Sequence, residues 1–392
     1  MANHRIAWLD GLRGVLALMV CAHHFLYAFY PELIFGGSYK DFNTGTISPI
    51  KLIALSPLNI IYNPGTAIHF FFLLSGYVQS YRYFQNGNTV SIQLGFFKRY
   101  FRLALPVLFT VLLVFLFHKN YWIAKNAFPD NPLTDKWVQS VMPDNLQFWQ
   151  VIRHGLFDCF NTTSRYYQVL WTMPTELFNS WLVMILIFVT HQSKNQWRLL
   201  LFWLAVQLFL LQSWYGAAFT VGVLLAALQR DSEKFNQVSE HRVFRGLCLL
   251  AGLYFASYPF TGYVGAVKNS IYRPISFFET YPHIISYLIG VSLLFLFMLR
   301  AHTVNKILSS KPLLWLGNIS FMLYLLHFLI LFSFSPWLYQ LLKKEMNLEL
   351  SLSLTAALSL LASLVFSWLS TALVDRPSIR FSHYIARRLT GL

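Results

Sequence analysis

Residues 7–30 read AWLDGLRGVLALMVCAHHFLYAFY. This apolar run has the length a helix needs to cross a hydrocarbon core of about 30 Å. Nine further blocks follow the same pattern, near 64–81, 103–118, 169–190, 198–213, 215–229, 246–263, 283–300, 313–334 and 352–374. Each is bounded by charge or by Pro and Gly. Runs such as Leu293 to Leu299 are apolar at every position, which excludes the alternation of a membrane barrel strand. With 56% hydrophobic and 11% charged residues, the chain lies far below the roughly 25% charge of soluble domains. The expected fold is all-α, a polytopic membrane protein of about ten transmembrane helices forming a single membrane domain over 1–392. Arg5 is the one charge before the first block, Asp10 and Arg13 lie within it, and no small-residue cleavage site follows. The block therefore reads as a retained span rather than a signal peptide.

The net charge of +15 raises the question of a nucleic-acid partner, and the placement of the charges argues against one. If the N-terminus is cytoplasmic, 18 of the 30 basic residues fall on the inner face, among them Arg82, Lys98, Arg99, Arg102, Arg300, Arg376 and Arg387. The outer connections hold nine acids, including Asp135, Asp158, Glu345 and Glu349. By the positive-inside rule both termini are expected in the cytoplasm, and the basic pI needs no nucleic acid. Cys21, Cys159 and Cys248 form no CxxC pair and no metal-ligand spacing, so neither a disulfide framework nor a metal is expected.

Ionisable groups within spans are costly and mark function by default. In the first block Arg13 and His24 are 11 residues apart, close to three turns and about 16 Å along one helix face. Asp10 shares that face, and the small Ala17 and Cys21 lie between. Asp10 and Arg13 also fit a purely structural ion pair, and His24 also fits a hydrogen-bonded interior histidine. The second block carries His69 and, at Ser75 and Gly76, small residues that suit close helix packing. Arg99 and Arg102, at i and i+3, project from one helix face and suit bidentate phosphate binding, although basic residues also gather in any cytoplasmic connection. Leu170-Trp171-Thr172-Met173-Pro174-Thr175-Glu176 places an acid about a turn and a half into the fourth block. In the ninth, Ser320, Tyr324 and His327 are spaced i, i+4, i+7 and form one polar stripe. By depth counting, His24, Glu176 and His327 belong to the outer half, and Asp10, Arg13, Arg99 and Arg102 to the inner.

Taken in order, Leu9-Asp10-Gly11-Leu12-Arg13-Gly14 through His24, Phe72-Leu-Leu-Ser75-Gly76-Tyr77, Lys98-Arg99-Tyr-Phe-Arg102, Leu170-Trp171-Thr172 to Glu176, Leu316-Gly317-Asn-Ile-Ser320 to His327, and Asp375-Arg376-Pro377 resemble the type 3 family of membrane acyltransferases. That family includes O-acetyltransferases of cell-surface glycans. The resemblance implies acyl-CoA, most often acetyl-CoA, as cytoplasmic donor and a hydroxyl-bearing acceptor reached from the other side. It implies His24 as the essential histidine of an Arg-x10-His motif with Arg13, Arg99 and Arg102 as an Arg-x-x-Arg motif near the donor, and Glu176 as the acid of a Trp-Ser-Leu-type segment. Thr172 and Met173 replace the usual serine and leucine of that segment, and Asp375 stands where Glu is frequent. No fused extracytoplasmic domain is expected.

The function expected from this resemblance is O-acyl transfer to a glycan such as O-antigen, capsule or exopolysaccharide, in the plasma (inner) membrane. His24, with an ordinary imidazole pKa of ~6.5, serves either as general base toward the hydroxyl or as transient acyl acceptor. Glu176 is expected to orient it, and Tyr324 and His327 to polarise the carbonyl or to hold their helix. The competing class is a proton-coupled transporter or lipid-linked-sugar flippase, which buried His, Asp, Arg and Glu also suit. The chain shows no inverted repeat. A non-catalytic assembly protein is the third reading.

Overall fold

A computed structural model describes residues 6–35, 49–129, 131–141, 146–161, 166–193, 196–260, 267, 270–275 and 282–391. Arg5 and the last residues of the 246–263 block lie outside the described residues. Every described element is helical. The principal helices are α1 (Ala7–Phe29), α2 (Pro64–Asn86), α3 (Val90–Lys119), the short α4 (Asp135–Ser140), α5 (Thr172–Thr190), α6 (Trp214–Asp231), α7 (Arg242–Ala256), α8 (Pro282–Met298), α9 (Lys311–Phe332), α10 (Leu348–Ser370) and α11 (Arg376–Thr390).

Among the described residues, five helical segments are long and apolar enough to cross a bilayer: Ala7–Phe29, Val90–Lys119, Gln168–Thr190, Lys311–Phe332 and Leu348–Thr390. A sixth arises if His283–Met298 and His302–Leu308, bent by 98° at their break, form one broken span. The other predicted blocks are helices too, but shorter or more polar. α2 has 23 residues and carries His69, Ser75, Gln79, Ser80 and Arg82. Gln196–Ala205 runs into a π-helical turn at Val206–Leu210, and α7 has only 15 residues. Large apolar side chains such as Phe178, Phe202, Phe209, Leu250 and Leu373 stand exposed on the outside of the bundle, as a lipid-facing surface requires. The chain is a multi-pass membrane protein.

One boundary differs in a way that matters for the site. The basic segment around Lys98, expected as a connection beside a span, belongs to α3, which starts at Val90. At the C-terminal end, α10 continues through a π-helical turn, Thr371–Asp375, straight into α11, and α11 packs against α3.

Glycines set the helix pairing. α1 lies along α9, and α2 along α6. A Cβ on Gly11 would fall on the Leu308 carbonyl, one on Gly317 on the carbonyl of Asp10, and one on Gly14 would come 2.6 Å from the Gly317 nitrogen. Lipid tails are as apolar as leucine, so helices in a membrane gain by packing backbone closely rather than by expelling water. Gly76 against Phe219 and Gly222 against Leu73 make the same contact between α2 and α6. Gly317→Leu should therefore lower the thermal midpoint of the detergent-purified protein, overpacking costing about 1–3 kcal/mol. Gly246→Ala, where nothing lies within 4 Å of the new Cβ, should leave the midpoint unchanged or raise it.

Candidate active site

Ten residues beyond the Gly14–Gly317 contact on each helix, α1 and α9 bring two histidines together. His24 Nδ1 lies 3.0 Å from His327 Nε2. His327 Nδ1 lies 3.0 Å from the Leu323 carbonyl, and a carbonyl only accepts, so His327 carries its proton on Nδ1. A neutral imidazole has one N–H. His327 Nε2 is therefore an acceptor, and His24 Nδ1 donates to it. The chain of bonds leaves His24 Nε2 with a lone pair, and His24 is only partly buried while His327 is fully buried.

Aromatic rings close around this pair. The His24 ring is parallel to Trp137 on α4, with centroids 6.2 Å apart and 3° between planes. Phe328 meets His24 edge-on at 4.8 Å, and Tyr27 approaches Trp137 at 4.6 Å. The Trp137 indole donates to Gln168 Oε1 at 3.1 Å. Nothing in the sequence distinguished Trp137 from the other aromatic residues of its connection, because its role comes only from the folding of α4 over the end of α1.

Tyr324, one turn before His327, donates to the Val169 carbonyl at 2.7 Å and accepts from the Thr172 hydroxyl at 2.9 Å. It thus ties α9 to the start of α5. Ser320 donates within its own helix to the Gly317 carbonyl, 2.8 Å away. His69 stands apart from the pair, its Nδ1 donating to the Gly65 carbonyl at 2.7 Å and its ring beside Tyr215 and Tyr287.

A second cluster forms where α3 and α5 meet α2. Glu176 is paired with Arg99, and its Oε1 also accepts from Ser75 at 2.8 Å. Arg99 Nε donates to Ser180 at 3.0 Å, and Gln79 reaches the same hydroxyl at 3.1 Å. The acid expected beside His24 thus has Arg99 and Ser75 as its partners, at the level of the basic motif rather than of the histidines. Packing alone was the reading favoured for Ser75, which also holds the carboxylate. Arg13 pairs with Asp10 at 3.3 Å, its side chain 30% exposed. The charges of Arg13 and Arg102 both reach Arg99, and those of Arg102, Arg82 and Arg99 reach Lys98. The result is a cationic basin on α1, α2 and α3 that no single motif announced. Among the described residues no group of three or more His, Cys, Asp or Glu is placed to hold a metal ion.

Residues 6–372 match the family of the Acyltransferase domain. The chain is similar to Acyltransferase R4 of Phoma sp., with 23% identity over 85% of this chain and 84% of that one. It is similar to Acyltransferase clz18 of Cochliobolus lunatus, again with 23% identity over 85% and 84% of the two chains. No solved structure matches.

Two charges in the bundle that neutralise each other are strongly interdependent, because removing one leaves the other desolvated and alone. Glu176→Leu and Arg99→Met should each lower the thermal midpoint by more than the double variant does. A double-mutant cycle in which the two losses simply add would contradict the pairing.

Proposed function

As a member of the Acyltransferase domain family, to which it belongs through residues 6–372, the chain is an acyltransferase, and we propose that it carries an acyl group from acyl-CoA to a hydroxyl. Acetyl is the proposed group, a glycan at the surface of the plasma membrane the proposed acceptor, and the cytoplasm the side of both termini and of the donor. The observation that carries the reading is the hydrogen-bonded sequence Leu323 carbonyl, His327, His24, which leaves the Nε2 lone pair of the half-buried His24 unused by that sequence.

An alcohol is a weak nucleophile near neutral pH and gains from losing its proton as it attacks. In the proposed reaction the acceptor hydroxyl gives its proton to His24 Nε2 while its oxygen bonds to the thioester carbonyl carbon. The imidazolium that forms keeps donating through Nδ1 to His327 Nε2, which spreads the new charge. Collapse of the tetrahedral intermediate breaks the carbon–sulfur bond, and the departing thiolate takes the proton back from His24. The same Nε2 lone pair suits transient acylation of His24 as well, and the direct route is the one proposed because it needs no covalent intermediate. Trp137 and Tyr27 offer the acceptor flat apolar faces beside His24.

Arg13, Arg99 and Arg102 are proposed to receive the anionic nucleotide of the donor. Asp10 and Glu176 then serve as the counter-charges that hold Arg13 and Arg99 until it arrives. The distance of about 16 Å from Arg13 to His24 along α1 separates donor head and reacting carbonyl.

The test is transfer from labelled acetyl-CoA by purified protein to surface glycan. His24→Ala should lose transfer by roughly 10²–10⁴-fold while still binding the donor, and His327→Ala should lower kcat with little change in KM. Wild-type transfer by His24→Ala would overturn the reading. Loss of donor binding in His24→Ala would contradict the separation of donor head from base.

A further inference from the structure

On the outside of the bundle, α3 and the segment formed by the π-helical turn and α11 leave an open groove of about 360 Å³ between them. Leu105, Phe109 and Leu112 form one wall and Leu373, Pro377 and Phe381 the other. Leu373 is 75% exposed and Phe381 44%. From Leu105 to Leu112 the groove runs about 10 Å along the helix axis, two thirds of one leaflet of a core about 30 Å thick.

The walls change character together. Along α3, Lys98, Arg102, Leu105, Phe109 and Leu112 recur at i, i+4, i+7, i+11 and i+14, a single helix face that begins basic and turns apolar. α11 passes α3 in the opposite sense, from apolar Leu373 and Pro377 to His383 and Arg387. Both basic ends meet at one level, since the charges of Lys98, Arg387, Arg102 and Arg82 all reach His383. Asp375 lies within range of Arg102 and Arg376. Among the described residues, no acid lies within ion-pair distance of Lys98, Arg102 or Arg387. Apolar length capped by surplus cations is the negative image of an anionic amphiphile. Basic groups at the membrane surface attract anionic headgroups.

We propose that this groove is a binding site for an anionic phospholipid. One acyl chain lies between Leu105–Leu112 and Leu373–Phe381, and the phosphate sits against Lys98, His383 and Arg387. Arg102 stands at the boundary between this site and the basin around Arg99. The lipid pins α11 to α3 and so fixes the end of α3 that carries the basic motif.

Native mass spectrometry of the detergent-purified full chain, titrated with dioleoyl phosphatidylglycerol or dioleoyl phosphatidylcholine, tests this directly. One phosphatidylglycerol should be retained at least about tenfold more tightly than phosphatidylcholine. Lys98→Gln with Arg387→Gln should remove that preference while leaving weak binding of both lipids. Leu373→Trp, a change at an exposed position of the groove wall, should weaken both lipids and leave the thermal midpoint of lipid-free protein unaltered. Equal binding of the two lipids by the wild type, or a preference that survives the double charge variant, would overturn the proposal. Glycerol phosphate raising the thermal midpoint as much as the lipid does would reduce the site to a phosphate pocket and also overturn it. Displacement of phosphatidylglycerol by coenzyme A would assign the basic end to the donor instead. None of these readouts depends on acyl transfer, so the lipid site and the proposed chemistry stand or fall separately.

Discussion

The backbone contact between α1 and α9 sets the rest of the candidate site. Gly14 and Gly317 let the two helices approach until the backbone of one lies where a side chain of the other would stand, and Gly11 does the same against Leu308, just before α9. Because both helices run in the same direction from that contact, residues ten positions on from Gly14 and Gly317 are again neighbours, and these are His24 and His327. The hydrogen bond between the two rings is thus a consequence of register. A shift of either helix by one residue would rotate its histidine by about 100° and break the sequence of bonds from the Leu323 carbonyl to His24.

Charge is handled by a different rule. An isolated guanidinium or carboxylate within a span is expensive, and the molecule answers by pairing Arg99 with Glu176 across α3 and α5 and Arg13 with Asp10 one turn away. Such pairs seldom add stability over apolar residues of similar volume, and their presence suits the proposed role of Arg13 and Arg99 in receiving an anionic donor. The arrangement separates two tasks. Neutral imidazoles with a directed lone pair occupy one cluster, and compensated cations the other.

Much of this was legible in the sequence. Spacing placed Arg13 and His24 on one face of α1, and Ser320, Tyr324 and His327 on one face of α9, because helical periodicity is local information. The meeting of His24 with His327 was not, since it depends on the α1–α9 register and hence on glycines whose role is visible only when another helix lies against them. The pairing of Glu176 with Arg99 was not legible either, because the apolar block suggested a start of α3 near Leu103, whereas the helix begins at Val90 and carries Arg99 within it to the carboxylate. Hydropathy marked ten apolar blocks, and among the described residues five helical segments, or six with the bent pair, have the length and composition of a span; α7 is apolar but has only 15 residues.

Everything proposed for the site rests on His24 holding its proton on Nδ1 and offering Nε2. Solid-state ¹⁵N NMR of histidine-labelled protein in lipid near neutral pH measures this directly, with His24→Ala identifying the signal. The expected spectrum shows a protonated Nδ1 coupled across its hydrogen bond to His327 Nε2, and a bare Nε2 on His24. A His24 ring protonated on Nε2 with a bare Nδ1 would contradict it.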